Sequence, residues 1–167
     1  MQHDLPASGV LFSWLPLLML LALAGCQPAV DAPDVLDIED LAERYAAAWS
    51  SGDPAHFASF YAENGVLQIN DGEPSIGRAA IEATAKSFMG DFPDMLVELV
   101  EVRREGERVI FEWHWTGTNT GPGGTGAAVD LYGYESWSLD EDGLIVESLG
   151  HMDEDEYARQ LGAGSSE

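Results

Sequence analysis

Basic residues are scarce in this 167-residue chain. Seven Lys and Arg stand against 30 Asp and Glu, for a formal net charge of −23. A surface this acidic repels nucleic acid and anionic headgroups, which argues against a polyanionic partner. Cysteine is scarcer still: Cys26 stands alone, which rules out an internal disulfide. Histidine occurs at 3, 56, 114 and 151 without paired spacing, and the acidic run at 140–143 (DEDG) lacks the calcium-loop pattern, so no metal site is expected. The Gly-rich stretch 121–126 (GPGGTG) is not followed by the Lys-Ser/Thr of a phosphate cradle. There is no G-x-S-x-G elbow either. No cofactor is expected. The glycine stretch reads as a hairpin connection or a flap over a pocket mouth.

Residues 10–24 (VLFSWLPLLMLLALA) form the one long apolar run. It has the length of a signal h-region and is short for a spanning helix. It ends in LAGC at 23–26, which resembles the lipobox of bacterial lipoproteins; small residues precede the cysteine thiol as that chemistry asks. The resemblance implies that 1–25 is a signal peptide and Cys26 the lipidated first residue. The protein would then be exported and held to the bacterial cell envelope by acyl chains. Residues 1–25 hold no Lys or Arg, a departure from the usual positive leader. Removing them takes away Asp4 alone and leaves 29 acids against 7 bases. Residues 26–37, rich in Pro and Asp, read as a tether. One domain follows at 38–162, and 163–167 reads as a loose tail.

Within the domain the apolar period changes once. Ile38, Leu41, Tyr45, Ala48 and Trp49 share a helix face over 38–51, which Gly52 stops. Pro54 starts a short helix with Phe57, Phe60 and Tyr61 turned inward. A short strand at 66–70, a turn region at 71–77 and a third helix at 78–89 follow. Strands are then expected at about 94–103, 107–118, 127–139 and 143–152, with a last helix near Asp153. The order predicts an α+β domain, with helices packed on one face of a curved antiparallel sheet.

One residue breaks the alternation. In 129–139 (VDLYGYESWSL) the inward face carries Val129, Leu131, Gly133, Trp137 and Leu139, and also Glu135. A buried carboxylate must find partners, line a cavity or stay protonated. Glu135 is thus either a structural tie to Tyr45 or Gln68, or the polar group of a pocket. Phe111, Trp113 and Trp115 alternate on one strand face. With Trp49 and Trp137 they either fill a core or line that pocket. His114 should point outward with Tyr132 and Tyr134. Asp153 suits a helix N-cap as well as a catalytic role.

Four stretches carry a family resemblance. They are AERYAAAWSSGDPAHFASFYAENGVLQI (42–69), SIGRAAIEA (75–83), WHWTGTNTGPGGTG (113–126) and DGLIVESLGHMDEDEYARQLGA (142–163). Their order and spacing resemble the SnoaL-like polyketide cyclases of the nuclear-transport-factor-2-like superfamily. The resemblance implies a cone-shaped fold, a pocket for a small hydrophobic carbonyl compound, cofactor-free proton transfer and a homodimer through the outer sheet face. By the same resemblance, Tyr45 and Glu135 match the oxyanion-hole pair of the ketosteroid isomerases, whose pKa tuning is a general lesson. Gln68 falls where those isomerases place their base, and Asp153 where SnoaL-like proteins place theirs, with His151 beside it. The implied catalytic set is Glu135, Asp153 and Tyr45. The implied pocket set is Trp49, Gln68, Phe111, Trp113, Trp115, Trp137 and His151. The competing expectation is a non-catalytic lipoprotein that binds an apolar ligand or a protein.

Overall fold

The computed structural model describes residues 36–162. The expected leader, Cys26, most of the tether and the tail lie outside these residues. Among the described residues no helix is long and apolar enough to cross a membrane.

Helix α1 (Ile38–Trp49) begins where the Asp37 carboxylate accepts from the Glu39 and Asp40 amides, and it buries Leu41, Tyr45 and Trp49. Helix α2 (Pro54–Ala58) opens on proline, and Asp53 accepts from the His56 amide. Strands β1 (Tyr61–Ile69) and β2 (Ser75–Ile76) precede helix α3 (Arg78–Asp91). Four long strands follow: β3 (Leu96–Glu105), β4 (Arg108–Thr118), β5 (Ala128–Leu139) and β6 (Ile145–Met152). Helix α4 (Glu154–Gln160) closes the order. The result is the expected α+β domain with a curved, unclosed six-stranded sheet, ordered β2-β1-β6-β5-β4-β3.

The sheet is mixed rather than wholly antiparallel. Strand β1 pairs in parallel with β6, with Leu67 opposite Ser148 and Ile69 opposite Gly150. It also begins at Tyr61, which the helical period had assigned to α2. Aromatic residues at 57, 60 and 61 suit a helix face and a strand start alike, so local pattern could not separate them. Register shifts between Leu99 and Glu101 in β3 and between Ser138 and Leu139 in β5 mark the bulges at which strands bend.

Helices and the inner sheet face enclose an aromatic core. Tyr45, Phe57, Phe111 and Trp137 are fully buried. Phe111 stacks on Trp137 at 4.9 Å, and Tyr45 meets Trp137 edge-on at 4.8 Å. Each such pair adds ~0.5–1.5 kcal/mol beyond area burial. The Gly-rich connection is tied to the end of α3. The Gly121 amide and the Asn119 side chain both donate to the Asp91 carbonyl, at 3.1 and 3.2 Å. A Cβ at Gly121 would run into the Gly90 carbonyl, so only glycine lets the loop dock there.

Candidate functional site: a carboxylate in an indole-walled cavity

Glu135 lies on β5 opposite Phe111 on β4 and Gly150 on β6, in the middle of the inner face. It is 5 % exposed. Three neutral donors reach its Oε2: Tyr45 Oη at 2.7 Å, Trp137 Nε1 at 2.9 Å and Ser148 Oγ at 2.5 Å. Tyr61 Oη stands 2.7 Å from Tyr45 Oη. Since Tyr45 gives its proton to Glu135, Tyr61 is the donor in that pair. Oε1 accepts no hydrogen bond of ordinary geometry from a described residue. Burial pushes the Glu135 pKa above the ordinary glutamate range, while Ser148, Trp137, Tyr45 and the nearby Trp49 indole pull it down. Burial also holds the Tyr45 and Tyr61 phenols far above their usual range, so both stay protonated donors.

Glu135 borders a half-open cavity of about 60 Å³. Trp49 from α1, Phe88 from α3, and Leu67 and Ile69 from β1 are among its walls. Trp113 and Trp115 from β4 and Met152 from β6 also line it. The Trp113 ring lies over Gly133, its register partner on β5. A Cβ there would meet the indole, so the glycine lets Trp113 stand as a cavity wall. The Trp115 Nε1 is buried and has no acceptor among the described residues.

The structure gathers part of the expected site and disperses the rest. Glu135, Trp49, Trp113 and Trp115 meet at the cavity. Tyr45 donates to Glu135 but is not among the residues bordering the cavity. Phe111 and Trp137 stack into solid core beneath Tyr45, and Trp137 reaches Glu135 only through its indole N–H. Gln68 is paired with Leu149, on the opposite face from Leu67 and Ile69, and donates to the Gly72 carbonyl at 3.0 Å. The period of two along β1 turns it away from Glu135. His151 borders the cavity but pairs with Tyr134 on the outer face, its ring 4.7 Å from that phenol. Asp153 is exposed and caps α4, accepting from the Glu156 amide at 2.9 Å. Outward-facing His114 stacks on Tyr132 at 4.4 Å and contacts Asp130 at 2.7 Å.

Two residues of the site escaped the sequence reading. Ser148 is fully buried, and the register shift near Leu139 hides its inward parity. Tyr61 was read as a helix residue. The available signal was a lone Ser in an otherwise apolar inner row of β6, between Ile145 and Met152.

Solved structures share the architecture at low identity. TsrD from Streptomyces laurentii matches at 22 % identity and a TM-score of 0.66, over 79 % of this chain and 99 % of its own. A protein with a ketosteroid isomerase-like fold from Catenulispora acidiphila, in complex with trimethylamine, matches at 18 % and 0.63, over 71 % and 88 %. A phenazine biosynthesis-related protein from Pseudomonas aeruginosa matches at 18 % and 0.60, over 78 % and 94 %. No curated protein matches the sequence. The SnoaL-like domain model matches residues 42–148, from within α1 to the Ser148 that donates to Glu135. The chain belongs to the SnoaL-like domain family.

Proposed function

We propose that this domain is a cofactor-independent proton-transfer enzyme acting on a small hydrophobic carbonyl compound, with Glu135 as the group that takes and returns the proton. The observation that carries the reading is the asymmetry of one carboxyl group. Three donors hold Oε2 in place, while Oε1 accepts no hydrogen bond of ordinary geometry from a described residue; the Trp49 indole is the nearby polar group, and the residue borders a cavity. A base must be fixed and must also reach its proton, and this arrangement serves both needs. Oε1 removes a proton from the carbon next to the carbonyl; the C–H pair moves into the enolate, and the new acid returns the proton to the same or a neighbouring atom. A raised pKa suits a carboxyl group that must work as base and then as acid. The small cavity limits the substrate to a few heavy atoms. The second reading, a non-catalytic ligand-binding lipoprotein, is favoured by the closed network of Tyr61, Tyr45, Ser148 and Glu135, which would serve as a structural tie equally well.

Deuterium uptake next to the carbonyl separates the two. Residues 27–167 in heavy water, with a panel of small hydrophobic ketones and β-keto esters, should exchange. Glu135→Gln should lower the rate by ~10²–10⁴-fold, the usual contribution of a positioned acid–base group. Retention of ligand without exchange in either protein leaves the binding reading. The anchor belongs to the same proposal and rests on the LAGC string. Cys26→Ser should abolish incorporation of labelled fatty acid into the full chain, and unchanged labelling would refute lipidation at Cys26.

A further inference from the structure

Glu135 differs from other carboxylates of the sheet in its partners. On the outer face Arg103 pairs with Glu112, Arg108 with Glu147 at 2.8 Å, and His114 with Asp130 at 2.7 Å. Among the described residues Glu135 has only neutral groups around it: the donors Tyr45, Trp137 and Ser148 on Oε2, and the Trp49 indole nearby. No Lys or Arg is among the residues bordering the cavity, and the His151 ring lies against Tyr134. When Glu135 is ionised, dipoles alone balance its charge. A cation in the cavity would supply the missing counter-charge.

The walls suit a particular kind of cation. Phe88 stands nearly perpendicular to Trp49 and to Trp115, at 6.0 Å from each. Trp113 adds a third indole. Rings set at such angles offer faces and edges to one small guest. Ring faces attract cations, and an alkylated ammonium loses less hydration than a bare one on entering such a box. The volume of about 60 Å³ is several times the ~10–15 Å³ a cavity needs to hold one water. The excess of 29 acids over 7 bases beyond residue 25 draws cations toward the domain.

We infer that the cavity takes a small alkylated ammonium cation, with Glu135 as its counter-charge and the Trp49, Trp113 and Trp115 indoles as its walls. The inference rests on the reading of the cavity as a ligand site and is independent of proton transfer. It is tested on the full chain in neutral detergent by tryptophan fluorescence and calorimetry at fixed ionic strength. The probes are tetramethylammonium and tert-butanol, a neutral molecule of similar size. Tetramethylammonium should bind saturably and about tenfold more tightly. Glu135→Gln should bring its affinity down to that of tert-butanol while leaving the acidic surface unchanged. If that variant fails to fold, Trp113→Leu, at a half-buried wall, should weaken the cation more than the alcohol. Equal affinity for both probes overturns the inference and leaves the ligand site standing. Cation binding unaffected by both substitutions places the cation on the outer surface and also overturns it. Absence of saturable binding overturns it too, and deuterium exchange then judges the carbonyl reading on its own.

Discussion

The middle of β5 and the corner between β6 and α4 each hold a carboxylate that sequence reasoning singled out. Their surroundings have little in common. Glu135 is buried, and three side-chain donors meet on one of its oxygens. Asp153 is exposed, and the Glu156 amide of the helix it opens donates to it. Burial raises the pKa of the first. The second does the ordinary work of an N-cap, with Glu154, Asp155 and Glu156 in the first turn where the helix dipole favours acids. A carboxylate in a promising string is therefore weak evidence of chemistry. What distinguishes the two is the cost of desolvation and the kind of donor that offsets it.

The sharpest way to break this contrast is Ser148→Ala. The substitution removes a donor to Oε2 and should raise the Glu135 pKa further. Glu135 already has a folded pKa above its unfolded one, so its protonated form favours the fold. Its contribution is fully present below the ordinary glutamate value of ~4.3 and is lost as pH rises through the raised value. Above that point Ser148→Ala should cost ~1.5–3 kcal/mol, the loss of a hydrogen bond to a charged group. Below ~4.3 the cost should shrink to ~0.5–1.5 kcal/mol, that of a neutral bond. Urea unfolding across pH reads the difference between variant and parent, so the other carboxylates cancel. A difference independent of pH would show that Glu135 keeps one protonation state throughout.

Element types and the inward parity of Glu135 were legible because each depends on local period. A period of two on β5 is enough to place Glu135 beside Gly133 and Trp137. The partners were less legible. Gln68 was assigned to the site by family position, yet the same period of two on β1 turns it outward once Leu67 and Ile69 are seen to face the core. Ser148 lies beyond a register shift, and its contact with Glu135 joins residues thirteen apart across a hairpin. Parallel pairing of β1 with β6 is a long-range choice that neither strand's residues announce. Trp137 and Phe111 show a further limit: aromatic alternation marks the inner face without saying which rings leave room for a cavity. That depends on Tyr45 lying across both.

Asp153→Ala probes the other side of the contrast with a smaller effect. Loss of the cap should cost ~1 kcal/mol, read as a lower urea midpoint and faster amide exchange in α4. The helix has other ties: Gln160 accepts from the Asp130 amide at 2.7 Å and donates to the Asp130 carbonyl at 2.9 Å. Tyr157 packs 5.7 Å from Trp115. These contacts hold α4 against β5 and β4, so the cavity wall should survive loss of the cap. Carbonyl-adjacent deuterium exchange should therefore stay within about twofold of the parent, against the ~10²–10⁴-fold loss expected for Glu135→Gln. Asp153→Asn sharpens the test, since asparagine caps as well as aspartate but cannot accept a proton as a base. A loss of exchange in Asp153→Asn with stability intact would move the chemistry from the middle of β5 to the α4 corner, and the contrast drawn from burial and donor type would fail.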